Sequence, residues 1–189
     1  GEALAADYFR HLGARALEER PAILGHFDIV KYFNGDGSLY DPASPVVRRA
    51  QLEALSMVRE SGALLEVNTG GMARGYVNEP YPSWDILRAW RDLGGGVILG
   101  SDCHDARLMD FAFDDVLARL RADGILSWVN AIVYSYQVML AAGHSDDTSL
   151  TINPDKGWGW LARKNFDFIQ TDWPLMMRLY LEENGLLYR

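Results

Sequence analysis

The chain has 189 residues, 49% of them apolar, and carries a formal net charge of −8 from 26 acidic and 18 basic side chains. That is the size and composition of one ordinary folded domain with a real core, and the acidic balance excludes broad binding to the phosphate backbone of nucleic acid. No apolar run approaches the ~20 residues that a membrane-spanning helix needs, and the single cysteine, Cys103, excludes an internal disulfide and points to a reducing cytoplasm.

The opening Gly1-Glu2-Ala3-Leu4 has neither an initiator Met nor a basic-then-apolar leader, so further chain is expected upstream. Leu4, Tyr8, Leu12 and Leu17 recur at helical spacing and predict a helix over 2–18. A strand is expected at about 22–30, followed by a turn at Asn34-Gly35-Asp36-Gly37. Ser44 as N-cap, Pro45 at the first helical position and Gly62 as a stop bound the next helix. Leu64–Asn68 reads as a strand running into a Thr69-Gly70-Gly71 turn. Ser83 opens a helix with an apolar stripe of Ile86, Leu87, Trp90 and Leu93, and three glycines, 94–96, launch a strand over 97–101. A helix at about 109–122 stops at Gly124, and a strand is expected over Trp128–Val133. A polar loop, 143–147, leads to a helix begun by Pro154, a last strand at Phe166–Ile169, and a helix from Pro174 to Gly185. Strands alternating with helices predict an α/β fold with a mainly parallel sheet, as a partial or distorted (β/α) TIM-like barrel.

Two stretches carry the chemistry. Gly25-His26-Phe27-Asp28 and Ser101-Asp102-Cys103-His104 each follow an apolar strand, where α/β folds build their sites. Asp102 and His104 are two apart, so an extended backbone points both the same way. Imidazole nitrogen with carboxylate oxygen suits a divalent transition metal. Glu66 and Asn68 repeat the i, i+2 pattern on another strand, and Arg74 is a fork-shaped donor for a phosphate. Cys103 reads as a small packed thiol, and metal binding at His144 beside Asp146 and Asp147 is not expected.

With Gly25–Asp28, Leu65–Gly71, Pro80-Tyr81-Pro82-Ser83 and Gly100–His104 in view, residues ~7–124 resemble the C-terminal part of histidinol phosphatases of the polymerase and histidinol phosphatase superfamily. The resemblance implies a distorted (β/α)7 barrel around Zn, Mn or Fe ions. It also implies His26, Asp102 and His104 as metal ligands, with Arg74 on the substrate phosphate. The His-x-His strand that opens such enzymes is absent here. Residues ~126–189, through Trp128-Val129-Asn130, Gly143–Asp147, Gly157–Leu161 and Ile169–Pro174, resemble instead the C-terminal end of bacterial glycerophosphodiester phosphodiesterases. That likeness implies only a supporting wall at Trp128 and Asp172.

The chain therefore reads as two portions, 1–125 and 126–189, packed into one domain. The expected activity is metal-dependent hydrolysis of a small phosphorylated substrate, a phosphomonoester such as histidinol phosphate. Asp102 and Arg74 are its catalytic groups, and Arg74, Glu66, Asn68 and Trp128 its substrate contacts. A catalytically incomplete half-barrel that binds metal weakly is the first alternative, and a phosphodiesterase the second. An unclosed barrel also admits a homo-oligomer in which a partner supplies the lost strands.

Overall fold

The computed structural model describes residues 1–132 and 141–187, and they form two compact units, Gly1–Ala112 and Phe113–Arg189. All three registered strand pairs are parallel, and strands alternate with helices along the chain. The division falls before the helix Phe113–Ala122, earlier than the junction read from the sequence.

The first unit opens with helix α1 (Glu2–Glu19) and strand β1 (Ile23–Leu24). Helix α2 (Pro45–Ser61) begins at Ser44, whose hydroxyl accepts the Val47 amide at 3.3 Å, and ends at Gly62 in the left-handed region, φ 85°. α1 and α2 pack tightly because their facing residues are small: a Cβ on Gly13 would sit 2.8 Å from the Ala54 Cα. Phe9, Val47, Leu55 and Val58 fill the space around that contact.

Strand β2 (Leu64–Asn68) lies between β1 and β3 (Val97–Gly100), with Leu64 opposite Ile23 and Asn68 opposite Gly100. Leu65 and Val67 point into the core, so Glu66 and Asn68 share the other face, as period-two geometry requires. Helix α3 (Gly70–Ala73) is one turn, formed where the sequence suggested only a loop. Helix α4 (Trp84–Asp92) buries Ile86, Leu87 and Trp90, and the Trp90 indole donates to the Gly96 carbonyl at 3.0 Å.

Three expectations change in this unit. The strand at 22–30 is only two residues long, because His26 turns the backbone into the left-handed region (φ 51°) and a 3-10 helix begins at Ile29. The Ser101–His104 segment is not extended either: Asp102 has φ 44°. The helix expected from 109 starts at Phe113, after Ala112 at φ 58°.

The second unit contains α5 (Phe113–Ala122), β4 (Ser127–Asn130), α6 (Trp160–Arg163), β5 (Phe168–Gln170) and α7 (Pro174–Glu183). β4 and β5 pair in parallel, Trp128 opposite Phe168, over a small core of Val129, Ala131 and Leu161. Asp167 seals the start of that pair by accepting both the amide and hydroxyl of Ser127, at 2.7 and 2.8 Å. β4 stops at Asn130, short of the expected strand end, and Val133 lies outside the described residues. Pro154 opens a π-helical turn, Asp155–Gly159, before α6 continues it.

Candidate functional site

The strand ends of the first unit deliver four ionisable groups to one place. Glu66, on β2, stands between two glycines of the neighbouring segments. A Cβ on Gly25 would lie 3.0 Å from Glu66 Oε2, and one on Gly100 would collide with its carboxylate. Both glycines thus make room for the carboxylate, which is 19% exposed. Its Oε1 accepts from Asn68 Nδ2 at 3.0 Å, and its Oε2 lies 3.3 Å from His26 Nδ1.

His26 carries the line onward. Its Nε2 is 3.6 Å from Asp102 Oδ2, and Asp102 Oδ1 is 3.6 Å from His104 Nε2. The order is Glu66, His26, Asp102, His104, with each imidazole beside a carboxylate. Both His26 and Asp102 hold positive φ, a costly backbone state for such residues and one that collects at functional sites.

Arg74, the residue just after α3, closes on Asp102 from the side. Its Nη1 donates to the Asp102 carbonyl at 3.0 Å and its Nη2 to Oδ2 at 3.1 Å. Gly70 leaves the space for it, since a Cβ there would sit 2.9 Å from Nη2 and 2.5 Å from the Ser101 carbonyl. The guanidinium also lies over the Tyr76 ring, 5.7 Å from its centre.

The structure brings His26, Glu66, Arg74, Asp102 and His104 together. Asn68 is different: it is fully buried, donates to Glu66, and accepts the Gly70 amide at 2.9 Å. Its side-chain amide holds the Glu66 carboxylate and the start of α3. Trp128 belongs to the second unit, half-buried in β4. Cys103 is half-buried with its thiol on the Asp105 carbonyl.

Two residues not singled out as site groups also frame the cluster. The Tyr81 ring lies 6.0 Å from the His26 ring, and its backbone bridges Asn68 in antiparallel fashion. Lys31 lies over the other part of that wall, 4.9 Å from the Tyr81 ring centre, and pairs with buried Asp28 at 3.2 Å. Asp28 does not orient His26; it accepts the Ser83 amide at 2.9 Å and so pins the start of α4. Burial pushes its carboxyl above the usual aspartate range, against the pull of Lys31. The signal for Tyr81 was present in the Pro80–Ser83 stretch, though nothing in the local pattern pointed that ring at His26.

A divalent ion is chemically compatible with this donor set. Two donors on one ion with bonds of ~2.1 Å stand roughly 3–3.5 Å apart, close to the observed 3.6 Å between Asp102 and each imidazole. The approaches are nevertheless pairwise: among the described residues no three His, Cys, Asp or Glu side chains are gathered so as to hold an ion. Arg74 occupies the side of Asp102 Oδ2 in the present arrangement.

In the second unit, His144 stacks flat on Trp160, ring centres 3.7 Å apart and planes 5° apart, with Nδ1 against the Lys156 carbonyl at 2.5 Å. Asp146 is 4% exposed and accepts from Trp158 Nε1, Thr171 Oγ1 and the Asp172 amide at 2.7, 2.7 and 2.9 Å. Asp172, expected at a site wall, thereby gives its amide to an internal fastening.

Comparison with known proteins bears on both parts of the chain. Residues 108–181 match the DUF4996 family, a domain of unknown function. The chain is also 36% identical over 118 residues, 62% of its length, to a protein from Deinococcus radiodurans named a probable histidinol-phosphatase. It spans 42% of the length of that relative. The segment likened to glycerophosphodiester phosphodiesterases falls largely within the stretch matched by the domain of unknown function.

No helix among the described residues is long and apolar enough to cross a membrane. The chain is thus a mixed α/β protein with parallel strands, similar in part to a probable histidinol-phosphatase, whose first unit gathers two imidazoles, two carboxylates and a guanidinium at its strand ends.

Proposed function

We propose that the first unit carries a phosphoester-hydrolysing site, acting on a small phosphomonoester in the manner of a histidinol phosphatase. The observation that carries this reading is the Arg74–Asp102–His26 arrangement. A fork-shaped cation and an imidazole stand 3.1 and 3.6 Å from the same carboxylate oxygen, beside the ends of parallel strands. The partial identity to a probable histidinol-phosphatase points the same way. In this reading the strands are a portion of a (β/α) barrel, and the work is done in the cytoplasm.

Arg74 binds the phosphoryl oxygens and balances charge as it develops on them. A guanidinium suits this because it offers several donors in one plane. His26 lies between Glu66 and Asp102, with Nδ1 toward the first and Nε2 toward the second. Glu66 fixes the His26 ring from the Nδ1 side, and Asn68 fixes Glu66 in turn. His26, Asp102 and His104 would hold a divalent ion, Zn, Mn or Fe. Such an ion, when bound, supplies Lewis-acid polarisation of phosphoryl oxygen and lowers the pKa of water.

The test is turnover of p-nitrophenyl phosphate with Mn²⁺ or Zn²⁺ added, against bis-p-nitrophenyl phosphate as the diester. The reading expects the monoester to be hydrolysed in preference, and His26→Ala to remove most of that rate. Absence of turnover at every metal concentration, with the chain folded, overturns it. A preference for the diester would instead support a phosphodiesterase.

A further inference from the structure

We infer that Arg74 is a built-in competitor for the cation site: its guanidinium occupies Asp102 until a phosphate draws it away. This inference rests on the reading of His26, Asp102 and His104 as the ion-holding groups.

The contact is a built one. Arg74 grips residue 102 twice, by its carbonyl and by Oδ2, at 3.0 and 3.1 Å. Asp102 presents both acceptors through a left-handed backbone, φ 44°. Gly70 leaves room that any Cβ would fill, and the Tyr76 ring lies beneath the guanidinium. Four separate features of the chain therefore hold one cation against one carboxylate oxygen.

That oxygen, Oδ2, is also the one 3.6 Å from His26 Nε2. A divalent ion placed between them meets the guanidinium charge at close range and is opposed by it. Arg74 is 29% exposed, so an incoming phosphate can reach it. A dianionic phosphate competes with a single carboxylate for the same donors. Movement of the guanidinium toward phosphate then leaves Oδ2 free for the ion. Phosphate and divalent ion thus favour one another's binding, and the coupling is reciprocal. The site recruits its cation most strongly when a phosphorylated ligand is present.

Titration calorimetry with Mn²⁺ on the full chain tests this, using wild type, Arg74→Gln and Arg74→Lys, each with and without inorganic phosphate. Without phosphate, Arg74→Gln is expected to bind Mn²⁺ about tenfold more tightly than wild type. Arg74→Lys keeps the charge without the two-pronged grip and falls between them. Phosphate tightens Mn²⁺ binding in wild type by a larger factor than in Arg74→Gln. Far-UV circular dichroism establishes that the variants are folded. Arg74→Gln binding Mn²⁺ no more tightly than a wild type that does bind it overturns the inference and leaves the cation site standing. Failure of all three proteins to bind Mn²⁺ at millimolar concentration removes both.

Discussion

Asp102 and Asp146, one in each unit, show how differently a carboxylate can be used. Asp146 is buried, and three neutral donors satisfy it: an indole, a hydroxyl and a backbone amide. It ties the 143–147 loop to Trp158 and to the residues that follow β5. Asp102 has a side chain 39% exposed, and its neighbours are two imidazoles and a guanidinium, all able to shift their partners. Buried carboxylates surrounded by neutral donors are fasteners. A half-exposed one between titratable and cationic groups is free to exchange partners, which is the property a site needs.

The contrast makes its largest demand at Asp146. Asp146→Ala orphans three donors, one of them buried and two partly buried, and is expected to cost about 3 kcal/mol of stability. Chemical denaturation followed by tryptophan fluorescence measures it, since Trp158 is one of the donors. A loss below about 0.5 kcal/mol would mean that the hub is not fastening the unit.

Asp102→Ala should behave in the opposite sense. Its stability change is expected to be about 1 kcal/mol or less, because the pairs it loses are partly solvated. Its hydrolysis of p-nitrophenyl phosphate should fall by roughly a hundredfold or more. Equal damage to stability at both aspartates would dissolve the distinction.

Gly100→Ala sharpens the account of Glu66. The new methyl meets the Glu66 carboxylate, so either the side chain leaves His26 or the strand shifts. Overpacking of this kind costs about 1–3 kcal/mol. The companion change, Gly100→Ala with Glu66→Ala, should recover most of that loss in a denaturation series. No recovery would show that the glycine serves the backbone and not the carboxylate.

The smallest effect concerns Asp28, buried like Asp146 but with one oxygen, Oδ1, lacking a hydrogen-bond partner among the described residues. Burial raises its carboxyl above the unfolded value of 3.8. The folded state therefore holds that proton more tightly than the unfolded chain does. Stability contributed by this group is fully present below pH 3.8 and is lost as the pH climbs through the raised value. The gap in unfolding free energy between wild type and Asp28→Asn should narrow or reverse on this rising limb, in denaturation measured from pH 4 to 8. A gap independent of pH across that range would contradict it.

Much of this was legible in the residues. β2 was read with the right ends because Leu65 and Val67 are apolar, Glu66 and Asn68 are polar, and the strand has two neighbours to set its period. α2 was bounded correctly by Ser44, Pro45 and Gly62, residues whose preferences are local. The approach of His26 and of His104 to Asp102 fits side chains delivered at strand ends, but the geometric ground is different from the one the spacing suggests. Asp102 and His104 do not share a face of an extended chain; they approach because Asp102 turns into the left-handed region. Local pattern carries no sign of that turn in a non-glycine residue. The strand expected at about 22–30 is present but shortened to Ile23–Leu24 for the same reason at His26. Asn68 looked like a ligand contact because its strand alternation was right, while its burial depends on Tyr81 crossing from a distant loop. Arg74 was picked out for phosphate, and its grip on Asp102 could not be foreseen, since it needs the space at Gly70 beside the end of another strand.

The central claim is tested most directly by crystals grown with Mn²⁺ and phosphate, with diffraction collected at the manganese edge. The account expects an anomalous peak bonded to His26 Nε2, Asp102 and His104 at about 2.1–2.3 Å, with Arg74 turned from Asp102 Oδ2 toward the phosphate. A map with full phosphate density but no manganese at these side chains, and Arg74 still on Asp102, would contradict it.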